Sequence, residues 1–146
     1  MASLVSTSKL NSTTSNVLQT LTGALTVVSA YSDLSKFEEF RVTAAVAALT
    51  GAGMTKLEIV AADDASGTNL TVVKEVTDTF DTVDDQATLS CLAEELAQLS
   101  SVNSTNLRYV AARVTLANIA DVAVANLELS GASYAVDGLT PATTIA

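Results

Sequence analysis

Leu107-Arg108-Tyr109-Val110-Ala111-Ala112-Arg113-Val114-Thr115-Leu116 decides the fold class. Its alternation sends Arg113 and Thr115 to one side and Val114 and Leu116 to the other, the period of a strand with one face on a core. A polar corner, Ala117-Asn118-Ile119-Ala120-Asp121, precedes Val122-Ala123-Val124-Ala125-Asn126-Leu127-Glu128-Leu129, and the two segments are expected to pair as a hairpin. Further back, Lys56-Leu57-Glu58-Ile59-Val60-Ala61 alternates Leu57, Ile59 and Ala61 with charges. The turn chemistry of Asp63-Asp64-Ala65-Ser66-Gly67-Thr68-Asn69 joins it to Leu70–Val76 in another hairpin. Leu21–Val27, Arg41–Leu49 and Ala87–Leu92 add strands rich in small and β-branched residues.

Two segments change period. In Ser32–Phe40, Ser35 and Glu38 have capping-box spacing and Leu34, Phe37 and Phe40 fall three apart, so a short helical turn is expected. Ala93-Glu94-Glu95-Leu96-Ala97-Gln98-Leu99 reads as helix, with acids in the first turn and Leu92, Leu96 and Leu99 on one face; Ser100–Asn106 ends it. Thr77–Asp85, with Asp78, Asp81, Asp84 and Asp85, reads as an exposed loop or edge strand, and the tail from Ser130 is expected to leave the sheet after Tyr134 and Val136. Roughly seven or eight strands and one helix make a mainly β protein, an antiparallel β-sandwich. Residues 1–16, dominated by Ser, Thr and Asn, read as an extended N-terminal arm, and residues 17–146 as a single sandwich domain.

Composition narrows the chemistry. The chain has 146 residues, 49% hydrophobic and 16% charged, with a mean hydropathy of +0.39, so it is expected to fold as one domain. A net charge of −9 with no basic cluster argues against nucleic-acid binding. Met1–Ser6 lacks a basic leader and the stretch from Val17 to Ala30 is broken by Gln19, Thr20, Thr22 and Thr26, so neither a signal peptide nor a membrane span is expected. Histidine is absent, which removes the commonest proton shuttle and metal ligand. Cys91 stands alone, excluding an internal disulfide, and reads as a small buried hydrophobe.

The candidate constellations are weak. The aspartates at 78, 81, 84 and 85, with Asp63 and Asp64, offer oxygen ligands for calcium but lack EF-hand spacing, and read more simply as solvated surface. A glycosidase carboxylate pair finds no Trp and few other aromatic faces for a sugar. No nucleophile elbow or phosphate-binding glycine loop is present, and no serine is paired with Lys9, Lys36, Lys56 or Lys74 by any motif. Asn11, Asn69 and Asn103 begin Asn-x-Ser/Thr triplets that a Thr-rich chain produces by chance. No enzymatic activity and no cofactor are expected. Tyr31, Phe37 and Phe40 are either a local core cluster or an anchor for a partner.

Ser90-Cys91-Leu92-Ala93-Glu94-Glu95-Leu96-Ala97-Gln98, then LRYVAARVT at 107–115 and Ala120-Asp121-Val122-Ala123-Val124, preceded by KLEIVAADDASGT from Lys56, resemble small tailed-bacteriophage virion proteins encoded among the head genes. The sequence looks most like a capsid cement or decoration protein over residues 56 to 129. The resemblance implies a homotrimer on the outer surface of the capsid, clamping the major capsid protein without catalysis. On that basis the contacts to a partner are expected from Leu4, Val5 and Leu10 in the arm and from Tyr31, Phe37 and Phe40. Alternatives are a phage tail-tube or head-completion component, which forms rings, and a carbohydrate-binding β-sandwich module.

Overall fold

Strict alternation in Phe37–Ala48 places Phe40, Val42, Ala44 and Val46 in the core while Arg41 faces solvent. In the computed structural model, which describes residues 15–132, this is strand β4 of a four-stranded sheet. That sheet runs in the order β1 (Ser15–Leu21), β9 (Val122–Ala132), β4 and β7 (Gln86–Leu92). The facing sheet runs β2 (Thr26–Val28), β8 (Tyr109–Leu116), β5 (Met54–Ala62) and β6 (Thr71–Phe80), with β3 (Ser32–Asp33) also paired to β8. Every pairing among the described residues is antiparallel, so the fold is the expected mainly β sandwich, with one helix among those residues, α1 (Ala93–Asn103). Leu57, Ile59, Val110, Ala112 and Val114 from one sheet join Phe40, Val42, Ala123, Ala125 and Leu127 from the other in one core cluster. Each large side chain so buried contributes about 1.5–3 kcal/mol.

Four expectations need correction. The segment Leu21–Val27 is not one strand: Leu21 ends β1, a turn carries Gly23 at φ 93°, and β2 starts at Thr26 in the other sheet. Phe37–Phe40 is not a helical turn. The Leu34 carbonyl accepts from the Phe37 amide at 3.1 Å, closing a single turn, and the chain then extends because β4 gains ladders to both β7 and β9. Strands β8 and β9 are not a hairpin. Each is interior to its own sheet, β8 between β5 and the β2/β3 edge and β9 between β1 and β4, so the corner at 117–121 carries the chain across the sandwich. Helix α1 outlasts its predicted end at Leu99 and closes with Ser104 in the left-handed region, where the Thr105 amide reaches the Ser100 carbonyl at 3.0 Å. The β5–β6 hairpin forms as expected, and Asp78 lies within β6, an edge strand.

The registers sort the connections to two poles. Leu21 and Val46 both stand opposite Ala123, Met54 opposite Leu116 and Phe80, and Gln86 opposite Ala45. The turns at 22–25, 49–53, 81–85 and 117–121 therefore share one pole, and each crosses between sheets. At the other pole Ser15 pairs with Leu129, Phe37 with Ala132 and Glu39 with Leu92, so helix α1 and both ends of the described chain lie there.

Candidate contact surface

The first pole is organised by Asp121, which is fully buried. Its Oδ1 accepts from the amides of Thr50 at 2.6 Å and Gly51 at 2.7 Å, and its Oδ2 from those of Gly53 at 3.0 Å and Asn118 at 3.1 Å. Its carbonyl accepts from Thr22 Oγ1 at 2.8 Å, and the Gly23 amide reaches the Ile119 carbonyl at 3.1 Å. One residue thus ties three turns together. Hydrogen bonds from the Gly51 and Thr50 amides hold its carboxyl below the usual carboxylate range, since they favour the ionised form. Gly53 has φ 79°, and a Cβ there would meet the Phe80 carbonyl, so only glycine lets the turn approach β6 this closely.

The opposite pole is held by exposed ion pairs. Arg108 Nη2 lies 2.6 Å from Asp33 Oδ2, with its guanidinium 5.2 Å from the Tyr109 ring centre, and Lys74 Nζ lies 3.1 Å from Glu95 Oε1. Burial pushes the Asp33 carboxyl up, but hydrogen bonds from Arg108 and Ser35 outweigh it and set the pKa at about 2. Glu95 also accepts from the Leu92 amide at 3.1 Å, fixing the start of α1. Between α1, the turn at Leu34-Ser35 and the lead into β8 lies an open groove of about 510 Å³, with Leu34, Leu96 and Leu107 in its lining and Arg108 beside them.

On the outer face of the second sheet, Glu58 is buried beside Arg113 on the neighbouring strand, with Nε–Oε1 2.8 Å and Nη2–Oε2 2.9 Å. On that side of β5, where the sequence sets Lys56 and Glu58, Val60 and Ala62 are also fully buried, while Lys56 is half-buried. Arg113 holds the Glu58 carboxyl below its ordinary range by hydrogen bonding.

The predicted contact residues divide. Phe40 is fully buried in the core and Phe37 packs against it half-buried, which places both with the core-cluster alternative. A partner meeting the folded domain does not reach Phe40. Tyr31 is half-buried, its hydroxyl beside Gly67 of the β5–β6 turn. Leu4, Val5 and Leu10 lie outside the described residues, as do Tyr134 and Val136 of the tail. Cys91 is buried, and burial pushes its thiol up to about 12. Among the described residues no three acids converge as metal ligands, and no helix is long and apolar enough to cross a membrane. Asp85 is a turn-former instead: its carboxylate accepts from the Thr82 amide at 3.0 Å.

The exposed apolar residues went unremarked in the sequence. Strand β1 pairs, among the described residues, with β9 alone, an edge position among them; Val17 and Leu18 on it are 51% and 71% exposed. Leu25, Val83 and Ile119 stand out from the Asp121 pole at 53%, 46% and 59%.

No protein-family model matches the sequence, and no curated protein matches it. Solved structures with a similar fold include a protein of the disulfide-linked pili that form Bacillus endospore appendages, at 12% identity and TM-score 0.41, covering 81% of this chain and 87% of that one. Another is the SPBc2 prophage-derived protein YomS, at 12% identity and TM-score 0.35, covering 80% and 96%. A third is the CBM22-1–GH10 portion of Clostridium thermocellum xylanase 10B, at 11% identity and TM-score 0.41, where 85% of this chain covers 27% of that one.

Proposed function

We propose that the chain is a non-enzymatic structural protein of a phage particle, a homotrimer that sits on the outer surface of the head and cements neighbouring copies of the major capsid protein. The observation that carries this is β1, which among the described residues pairs with β9 alone, exposes Val17 and Leu18, and follows directly in sequence on the Ser/Thr-rich segment that holds Leu4, Val5 and Leu10. An open edge accepts a strand from a neighbour by backbone hydrogen bonding, with alternate side chains giving the grip. The arm and β1 together supply a route for linking copies of the chain, and a net charge of −9 keeps such an exposed protein soluble and off DNA.

The test uses heads of the phage that encodes the chain, prepared without it. Added protein is expected to bind to saturation in multiples of three per head and to raise the temperature at which DNA escapes. Deleting residues 2–14, which spares β1, is expected to give a folded monomer with weakened attachment. Binding that leaves heat resistance unchanged would sink the cementing role, and rings or stacked rings in native mass spectra favour the tail-tube or head-completion alternative.

A further inference from the structure

We infer that the Asp121 pole is the end of the domain that docks onto the head, and that it meets a protein surface bearing cationic groups around apolar sockets. The inference rests on the proposed attachment to the head and names the part that touches it. Three large apolar side chains, Leu25, Val83 and Ile119, are each about half exposed there. They ride on turns whose backbones are already fixed. The Leu25 carbonyl accepts from the Leu116 amide at 2.7 Å, the Ile119 carbonyl accepts from the Gly23 amide, and the turn is pinned just after Val83 by Val46, which accepts from the Asp84 amide and donates to the Asp85 carbonyl, both at 2.9 Å. Residues presented this way lose little further freedom on binding, which is where the cost of association falls.

The four turns lie side by side, because each joins a strand of one sheet to a strand of the other. With strands spaced about 4.8 Å apart, the row is about 15 Å long, enough to seat three anchors on one partner. Charge selects the partner. Asp81 and Asp84 are exposed in this row, and none of the four turns contains Lys or Arg. A second copy meeting it pole to pole, a nucleic acid or an anionic lipid surface would each set negative charge against negative charge. A cationic protein face with apolar sockets satisfies both kinds of group.

Binding of the full chain to heads lacking it, measured against salt concentration, tests the assignment. The triple variant Leu25→Ser, Val83→Ser, Ile119→Ser is expected to lose at least about thirtyfold in affinity. Asp81→Asn with Asp84→Asn is expected to lose severalfold at low salt and to flatten the salt dependence. Val102→Ser, which changes an 81% exposed residue on α1 at the other pole, is expected to bind within about twofold of the parent. If the triple variant binds like the parent, the assignment falls while attachment to the head stands. If the triple variant unfolds, the two-aspartate variant decides, and an unchanged salt dependence overturns the assignment. A parent chain that does not bind heads overturns the attachment itself and this inference with it.

Discussion

At one pole of the sandwich a buried carboxylate gathers four amides from two turns while its own carbonyl holds a third; at the other, ion pairs at the surface tie helix α1 to β6 and Arg108 to β3. The first arrangement is short-ranged and sheltered from salt, whereas the second is screened by it. A domain with a lone buried Cys91 and no disulfide thus obtains a rigid end from backbone amides converging on one side chain. Rigidity at that end suits the presentation of Leu25, Val83 and Ile119, and β1 starts at the other end, where Ser15 stands opposite Leu129.

The comparison is sharpest at Asp121. Replacing it with Ala leaves the four amides without acceptors in a buried site, and the midpoint of thermal unfolding is expected to fall by roughly 10 °C or more. Asp121→Asn, which keeps one acceptor oxygen, is expected to fall less; scanning calorimetry ranks the three proteins. Gly53→Ala follows, because it sets a Cβ against the Phe80 carbonyl and strains a positive φ. Urea unfolding is expected to show a loss of about 2 kcal/mol or more.

Acid titration separates the poles next. Asp33 and Asp121 both have folded pKa values below those of the unfolded chain, so their stabilisation is complete above the unfolded carboxylate range near pH 4. It is lost as pH falls through the folded values, about 2 for Asp33. The urea midpoint is expected to hold steady between about pH 7 and 5 and to drop below about 4, and Asp33→Asn is expected to lower the neutral plateau and make the drop shallower. Arg108→Ala has the smallest effect, at most about 1 kcal/mol and shrinking with added salt, because its partner carboxylate remains partly in water. An Arg108→Ala loss as large as that of Asp121→Ala would erase the contrast between the poles.

The sandwich itself was legible because a sheet face is written locally: Leu57 and Ile59, or Val114 and Leu116, alternate within a few residues of one another. The misreadings come where neighbours in space override neighbours in sequence. Ser35 and Glu38 have helical capping spacing, yet the ladders from β4 to β7 and β9 extend the chain from Phe37. The corner at 117–121 has the length of a hairpin loop, and nothing within it says that its two strands belong to different sheets. Asp121 was visible only as part of a polar corner, because its partners Thr50, Gly51 and Gly53 lie about seventy residues away in the chain. Phe40 shows the same limit for the contact surface: an aromatic residue in sequence is an anchor or a core residue depending on what packs over it. The grouping of exposed Leu25, Val83 and Ile119 at one pole could be recognised only once their turns were seen side by side.

The most direct test of the contact role is a reconstruction of the phage particle at a resolution that distinguishes strands. The account predicts trimers of the sandwich on the outer face of the head, with the turns at 22–25, 81–85 and 117–121 against the major capsid protein and the segment before Ser15 laid along the β1 edge of a neighbour. Heads without the protein, or the protein stacked as rings in the tail, would contradict it.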